Sequence, residues 1–170
     1  IPDNRSWHLT KRGLGPTLDP LFTQSNLGIV TRMGVWLMRR PKAYAPLYCS
    51  VPRDHQLAQA IDIVRGLRQD GIIRGVPSFL NLITMGATFP EAMELGARRD
   101  ATWSEERLDA VADDTGIGRW GFRLALDGDP DVVDIHIRRV REAWSAIEGS
   151  RVDHEHTYPP ETWDTIEPFI

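Results

Sequence analysis

The chain has 170 residues, 41% of them hydrophobic and 26% charged, with a formal net charge of −4 and a sequence pI near 5.7. That is enough apolar material for one ordinary core or for pieces of two, which excludes a disordered chain. There is no basic field and no polybasic run, which excludes nucleic acid and an anionic membrane surface as electrostatic partners. The lone Cys49 excludes an internal disulfide and a thiolate metal cluster and suits a reducing compartment, so the expected location is cytoplasmic. Its neighbours Leu47, Tyr48 and Val51 predict a buried, inert thiol. No apolar run approaches the ~18 to 20 residues of a membrane span, and the start Ile1-Pro2-Asp3-Asn4-Arg5 lacks the basic and apolar regions of a signal peptide. A start without methionine and an end at Ile170 on no obvious stop signal give the expectation of an excerpt from a larger polypeptide.

Residues 1 to 14 are read as a short strand feeding a glycine turn, with His8 structural beside Trp7. Asp19 before Pro20 predicts an N-cap and a helical turn over Leu21 and Phe22. A polar Thr23-Gln24-Ser25-Asn26 loop follows. From Gly28 the alternation puts Ile29, Thr31, Met33, Val35 and Leu37 on one face and Val30, Arg32, Trp36 and Met38 on the other, which predicts a buried strand from Gly28 to Met38. The glycines Gly13, Gly15, Gly28 and Gly34 let bare backbone approach a ligand. Arg39-Arg40-Pro41-Lys42 interrupts this run and marks a boundary, with a second unit after it.

In that second unit, Tyr44 to Val51 is a strand. Asp54 is expected to cap a helix with Leu57, Ala60, Ile61, Val64 and Leu67 inward, ending at Gly71. Ile72, Ile73 and Val76 suggest a strand. The run Phe79 to Met85 is ambiguous between strand and helix and is assigned as helix, capped by Ser78. Glu91 to Arg99 is a surface helical turn or a loop. Thr102 or Ser104 caps a helix with Leu108, Val111 and Ala112 inward, stopped by Gly116 and Gly118. Trp120, Phe122, Leu124 and Leu126 alternate with Gly121, Arg123, Ala125 and Asp127, the clearest strand pattern in the chain. Asp129-Pro130 opens a helix carrying Val133, Ile137, Val140, Trp144 and Ile147, closed by Gly149. Arg151 to Tyr158 is a polar edge strand. The order predicts an α+β layer, an antiparallel or mixed sheet covered on one face by helices.

Three constellations could carry chemistry. His154 and His156 in Asp153-His154-Glu155-His156 would share one face of a strand and could reach one metal ion, but no third ligand is named by the sequence, so no metal site is assigned. Arg65, Arg68, Arg98, Arg99, Arg138, Arg139 and Arg141 are interspersed with acids and read as solvated faces. Trp36, Trp120 and Trp144 lie on apolar stripes and read as core. There is no nucleophile elbow and no Walker-type phosphate loop.

The stretch Gly15-Pro16, Leu18-Asp19, Leu21-Phe22-Thr23-Gln24-Ser25-Asn26-Leu27-Gly28-Ile29-Val30-Thr31-Arg32-Met33-Gly34-Val35-Trp36-Leu37-Met38 closely resembles the end of the FAD-binding domain in the vanillyl-alcohol oxidase and p-cresol methylhydroxylase family, its 4-alkylphenol branch in particular. Pro52 to Arg68, and Gly118 to Gly128 and on to Trp144, resemble more weakly the first half of that family's cap domain. Residues 87 to 103 and 150 to 170 resemble it least. Pro20, where the family usually has glycine, and the charged Arg39-Arg40-Pro41 connection depart from the pattern.

The resemblance implies a p-cresol methylhydroxylase-type FAD-binding domain ending within residues 1–42 and a substrate-binding cap beginning within 43–170. It implies FAD as cofactor and a para-substituted phenol as substrate, oxidised by hydride transfer from the benzylic carbon to the flavin by way of a quinone methide. Ser25, Asn26, Gly28, Ile29 and Val30 would lie against FAD, chiefly through main-chain groups. No catalytic residue is assigned, since the family's pyrophosphate loop, its phenolate-binding tyrosine and arginine pair and its flavin attachment residue belong to parts outside this sequence, and the isolated chain is expected to be inactive. A homodimer and a c-type cytochrome electron acceptor are the protein partners implied. A strand from Gly28 to Met38 beside a flavin or an open groove is the structural expectation, and a solvent-exposed loop there would make the assignment fail. The alternative is a non-catalytic α+β binding or oligomerisation module that has lost its FAD half.

Overall fold

The computed structural model describes residues 18–34, 37, 39–86 and 102–165. The expected first strand over residues 1 to 14, Trp36 and the Glu91–Arg99 segment lie outside the described residues. The chain divides into two units, Ile1–Arg40 and Pro41–Ile170.

In the first unit, a single 3-10 turn spans Asp19–Phe22, with the proline in its first turn and Leu18 at the N-cap. The expected turn is present, but it begins one residue earlier than Asp19-capping required. Beyond it come a turn over Thr23 and Gln24 and a bend over Asn26 and Leu27, and residues 28–34 belong to no strand. This corrects the buried strand expected from Gly28. Ile29 is 92% and Leu37 82% exposed, and no ladder involves residues 28–34 among the described residues. Alternation records a local preference for extended backbone, whereas a strand also requires a neighbour to take its N–H and C=O groups.

The second unit is an antiparallel four-stranded sheet in the order β2-β3-β1-β4. The strands are β1 (Ala43–Val51), β2 (Ser78–Asn81), β3 (Trp120–Gly128) and β4 (Arg151–Asp153). Between them run α1 (Leu57–Gln69), α2 (Leu82–Gly86), α3 (Glu105–Thr115) and α4 (Pro130–Trp144). The α+β architecture expected from the sequence is the one observed. One face of the sheet is apolar: Ala45, Leu47, Cys49 and Val51 of β1 alternate inward with Phe122, Leu124 and Leu126 of β3. Onto this face α1 brings Ala60, Val64 and Leu67, and α4 brings Val133, Ile137, Val140 and Trp144. Phe122 and Trp144 meet edge to face at 5.1 Å, and Trp144 Nε1 donates to the Ser50 carbonyl at 3.3 Å. Cys49 sits in this core, and its burial pushes the thiol up to about 12, which agrees with the inert thiol expected. A smaller cluster joins Leu82, Val111 and Ala112 to Leu108 and Ile117.

Four local expectations change. Asp54 does not cap α1; its carboxylate accepts from Trp120 Nε1 at 2.8 Å, and the helix is led in by a 3-10 turn, Asp54–Gln56. There the Gln56 side chain accepts from the Arg53 N–H at 3.0 Å. Ile61 is 37% exposed, while Ile63 packs against the core in its place. Ile72 and Ile73 are buried but form no strand, because both of their N–H groups bond to the Leu67 carbonyl, at 2.9 and 3.2 Å, in closing α1. Gly71, at φ 73°, makes that reversal at no steric cost. Finally, the ambiguous run from Phe79 splits between β2 and α2, with Asn81 Oδ1 rather than Ser78 accepting from the first-turn N–H of Thr84 at 2.8 Å. Ser104 does cap α3, accepting from the Arg107 N–H at 3.3 Å.

Candidate functional site

Two places merit a functional reading, one in each unit. In the first unit, the Ser25 hydroxyl donates back to the Leu21 carbonyl and accepts from the Leu27 N–H at 3.5 Å. Gln24 takes a left-handed φ of 50°, so the polar loop is closed by its own side chains and the Ser25 side chain is committed locally. Downstream, Gly28, Ile29 and Val30 make no main-chain hydrogen bonds among the described residues. A Cβ built on Gly28 would come within 3.2 Å of the Phe22 ring, so the glycine lets that ring lie against bare backbone. The result is an extended ribbon with open N–H and C=O groups and exposed apolar side chains, suited to meeting a flat ligand or another protein surface through its main chain. Gly28, Ile29 and Val30 lie in this exposed stretch, and Ser25 and Asn26 belong to the turn that sets its start.

In the second unit, the face of the sheet away from α1 and α4 carries a cleft of about 390 Å³. Strand pairing builds its floor. Tyr48 of β1 stands opposite Arg123 of β3 on one side and Asp153 of β4 on the other, and Arg123 stands opposite Ser78 of β2. Pro46 and Ala125 form the next row. One wall is Met85 and Ile117, and Glu155 and His156 stand exposed at the rim. The Tyr48 hydroxyl is 2.7 Å from Met85 Sδ and 3.3 Å from the Ile117 carbonyl, two acceptors for its one proton. Burial raises this phenol to about 12, with Arg123 pulling the other way, so Tyr48 stays protonated as a donor. Tyr44 and Tyr158 are bridged by paired main-chain hydrogen bonds of 3.0 and 2.7 Å, which fix the segment after β4 beside the cleft. Asp153 is engaged by Arg151 at 3.3 Å. Arg123 is half-buried and has no carboxylate partner among the described residues.

The cleft was legible only in part. The residues that alternate against the core face of β1 and β3 could have been picked out, but their grouping depends on register, which periodicity does not supply. His154 and His156 are not brought to a common point. Strand β4 ends at Asp153, so the period-two argument does not extend to the two histidines. His154 faces a depression beside α4 with Asp134 and Arg141, while His156 lines the cleft. Among the described residues no group of three or more potential ligands could hold a metal ion. Of the arginines, Arg65 pairs with Asp62 at 2.7 Å and Arg68 donates to the Gly75 carbonyl, as solvated faces do. Trp120 and Trp144 pack with the core.

In sequence and in fold the chain is similar to flavoproteins of the p-cresol methylhydroxylase type, the family that the stretch from Gly15 to Met38 resembles. Among curated proteins, it is 29% identical over 158 residues to the 4-cresol dehydrogenase (hydroxylating) flavoprotein subunit of Pseudomonas putida, covering 89% of this chain and 29% of that protein. It is 38% identical over 93 residues to 1'-carboxy-chondrochloren decarboxylase of Chondromyces crocatus, covering 53% of this chain and 17% of the relative. Among solved structures, p-cresol methylhydroxylase with substrate bound superposes with a TM-score of 0.79 at 27% identity, over 99% of this chain and 32% of that one. The 4-ethylphenol oxidase of Gulosibacter chungangensis, in its isoeugenol complex, gives 0.76 at 26% identity, over 91% and 29%. No family model matches the chain. The chain thus spans less than a third of the length of these relatives.

Proposed function

We propose that the chain is part of an FAD-dependent oxidoreductase that oxidises para-substituted phenols. The observation that carries this reading is the superposition of nearly the whole chain, 99% at a TM-score of 0.79, on p-cresol methylhydroxylase holding its substrate. Residues 1–42 are read as the end of the FAD-binding domain and residues 43–170 as the first part of the substrate-binding cap. A bound flavin supplies the acceptor for the hydride leaving the benzylic carbon. The chain's own share is structural: the main chain of Gly28, Ile29 and Val30 forms part of the wall against which the cofactor lies, and the turn holding Ser25 and Asn26 fixes its start. The 170 residues alone do not turn over substrate. The relative named as a flavoprotein subunit supports assembly with a partner, for which a homodimer and a c-type cytochrome acceptor are the candidates. A cytoplasmic location accords with the single buried cysteine, and among the described residues no helix is long and apolar enough to cross a membrane.

The test is the complete gene product, reconstituted with FAD and mixed without oxygen with 4-methylphenol or 4-ethylphenol. Bleaching of the flavin band on mixing is the expected result, and a fully oxidised flavin after prolonged incubation with either phenol contradicts the reading. The 38% identity to a decarboxylase favours one second reading, in which the substrate loses a carboxyl group; carbon dioxide release from a carboxylated phenolic substrate separates the two. A non-catalytic module is what remains if FAD does not bind at all.

A further inference from the structure

We propose that the cleft on the open face of the sheet binds a small aromatic carboxylate, with the Arg123 guanidinium taking the carboxylate and Tyr48 and Pro46 packing against the ring. Arg123 is half-buried, and a guanidinium withdrawn from water is stabilised by a carboxylate that accepts from two of its N–H groups in parallel. Among the described residues no carboxylate does so. Asp153, two strands away in the same row, is drawn off by Arg151, and Glu155 is exposed at the rim. Around Arg123 the cleft combines the apolar and aromatic surfaces of Tyr48, Pro46, Ile117 and Met85 with Ser78 directly opposite it on β2. The volume of about 390 Å³ is at the lower end of the range for small-molecule sites. An anionic head with a flat apolar body matches both features, whereas a purely apolar ligand would leave the guanidinium desolvated and unpaired.

The test is isothermal titration of the full chain with 4-hydroxybenzoate and with neutral 4-hydroxybenzamide, which has nearly the same shape. The acid is expected to bind at least about tenfold more tightly than the amide, the scale of a charge-assisted hydrogen bond, and to weaken as salt rises. Arg123→Gln is expected to lose about tenfold in affinity for the acid, and Arg123→Lys a smaller factor, because a point charge replaces a fork. Equal affinity for acid and amide, full affinity in Arg123→Gln, or no heat from the acid at millimolar concentration overturns the proposal. Should Arg123→Gln not fold, the comparison of acid with amide on the unaltered chain and the Arg123→Lys variant still decide. The titration needs no flavin, so its failure leaves the flavin reading intact, and the converse holds.

Discussion

Arg119 is the clearest case of a single side chain tying elements together. It is 6% exposed, its guanidinium meets Glu105 at 2.7 Å and Asp109 at 2.6 Å, and its main chain exchanges hydrogen bonds with Val51 and Leu82. Both carboxylates reach solvent, so removing the cation strands no buried charge and the loss is chiefly of hydrogen bonds and packing. Arg119→Met should therefore lower the unfolding free energy by about 1–3 kcal/mol in a urea titration, and Glu105→Gln by less than about 1 kcal/mol. His136 makes a different prediction. Its Nδ1 is buried without a hydrogen-bond partner among the described residues, and burial, with the nearby Arg74 and Arg139, holds its protonation below the ordinary 6.5. Between that ordinary value and the lower folded one, the unfolded chain binds more protons. Stability is then full above pH 6.5, is lost as pH falls through the folded value, and levels off below it. His154 is shifted the same way, first by burial and then by Arg141. Melting temperatures measured across this range should show the decline, and His136→Gln should remove part of it, with His154 supplying the rest.

At the scale of elements, the strand pairs define the cleft as well as the core. Gly121 shows how tightly, because a Cβ there would collide with both the Tyr48 ring and Met85 Sδ. Gly121→Ala should cost about 1–3 kcal/mol through overpacking, and near-ultraviolet dichroism should report a displaced Tyr48. The elements that could be read from sequence were those whose information is local. Strict alternation located β3, the Asp129-Pro130 start and the four-and-three spacing located α4, and Ser104, one of the two caps expected with Thr102, caps α3. Elements that depend on something distant were misread. Ile72 and Ile73 have strand-like composition, yet their N–H groups are consumed by the end of α1. His154 and His156 have strand-like spacing, but the strand stops before them. The ribbon after Gly28 alternates like a buried strand and stands exposed, against the expectation placed on it. Its apolar side chains and open backbone describe a surface that requires a neighbour, and the pattern alone could not say whether that neighbour lies within this sequence.

At the scale of the whole molecule, the likeness to these flavoproteins does not rest on that strand. It rests on the match of fold and sequence along nearly all of the chain, with residues on both sides of Arg40 contributing to the resemblance. The α+β layer and its helices are physically self-sufficient, since one face of the sheet is covered by α1 and α4 in a continuous core. The ribbon of Gly28 to Val30 and the open face of the sheet are not explained by internal packing, and these are the surfaces from which a cofactor site and a ligand cleft would be built. Periodicity alone reaches the first conclusion; the resemblance of Thr23-Gln24-Ser25-Asn26 through Thr31 was needed to suggest the cofactor contact, and the cleft follows from strand register alone.

The visible spectrum of the complete gene product, purified after addition of FAD and freed of unbound cofactor, tests the central claim most directly. The account predicts a retained flavin band at about 450 nm that stays with the protein through gel filtration. A protein that folds and elutes normally but carries no absorbance there would contradict it and leave the non-catalytic α+β module as the correct description.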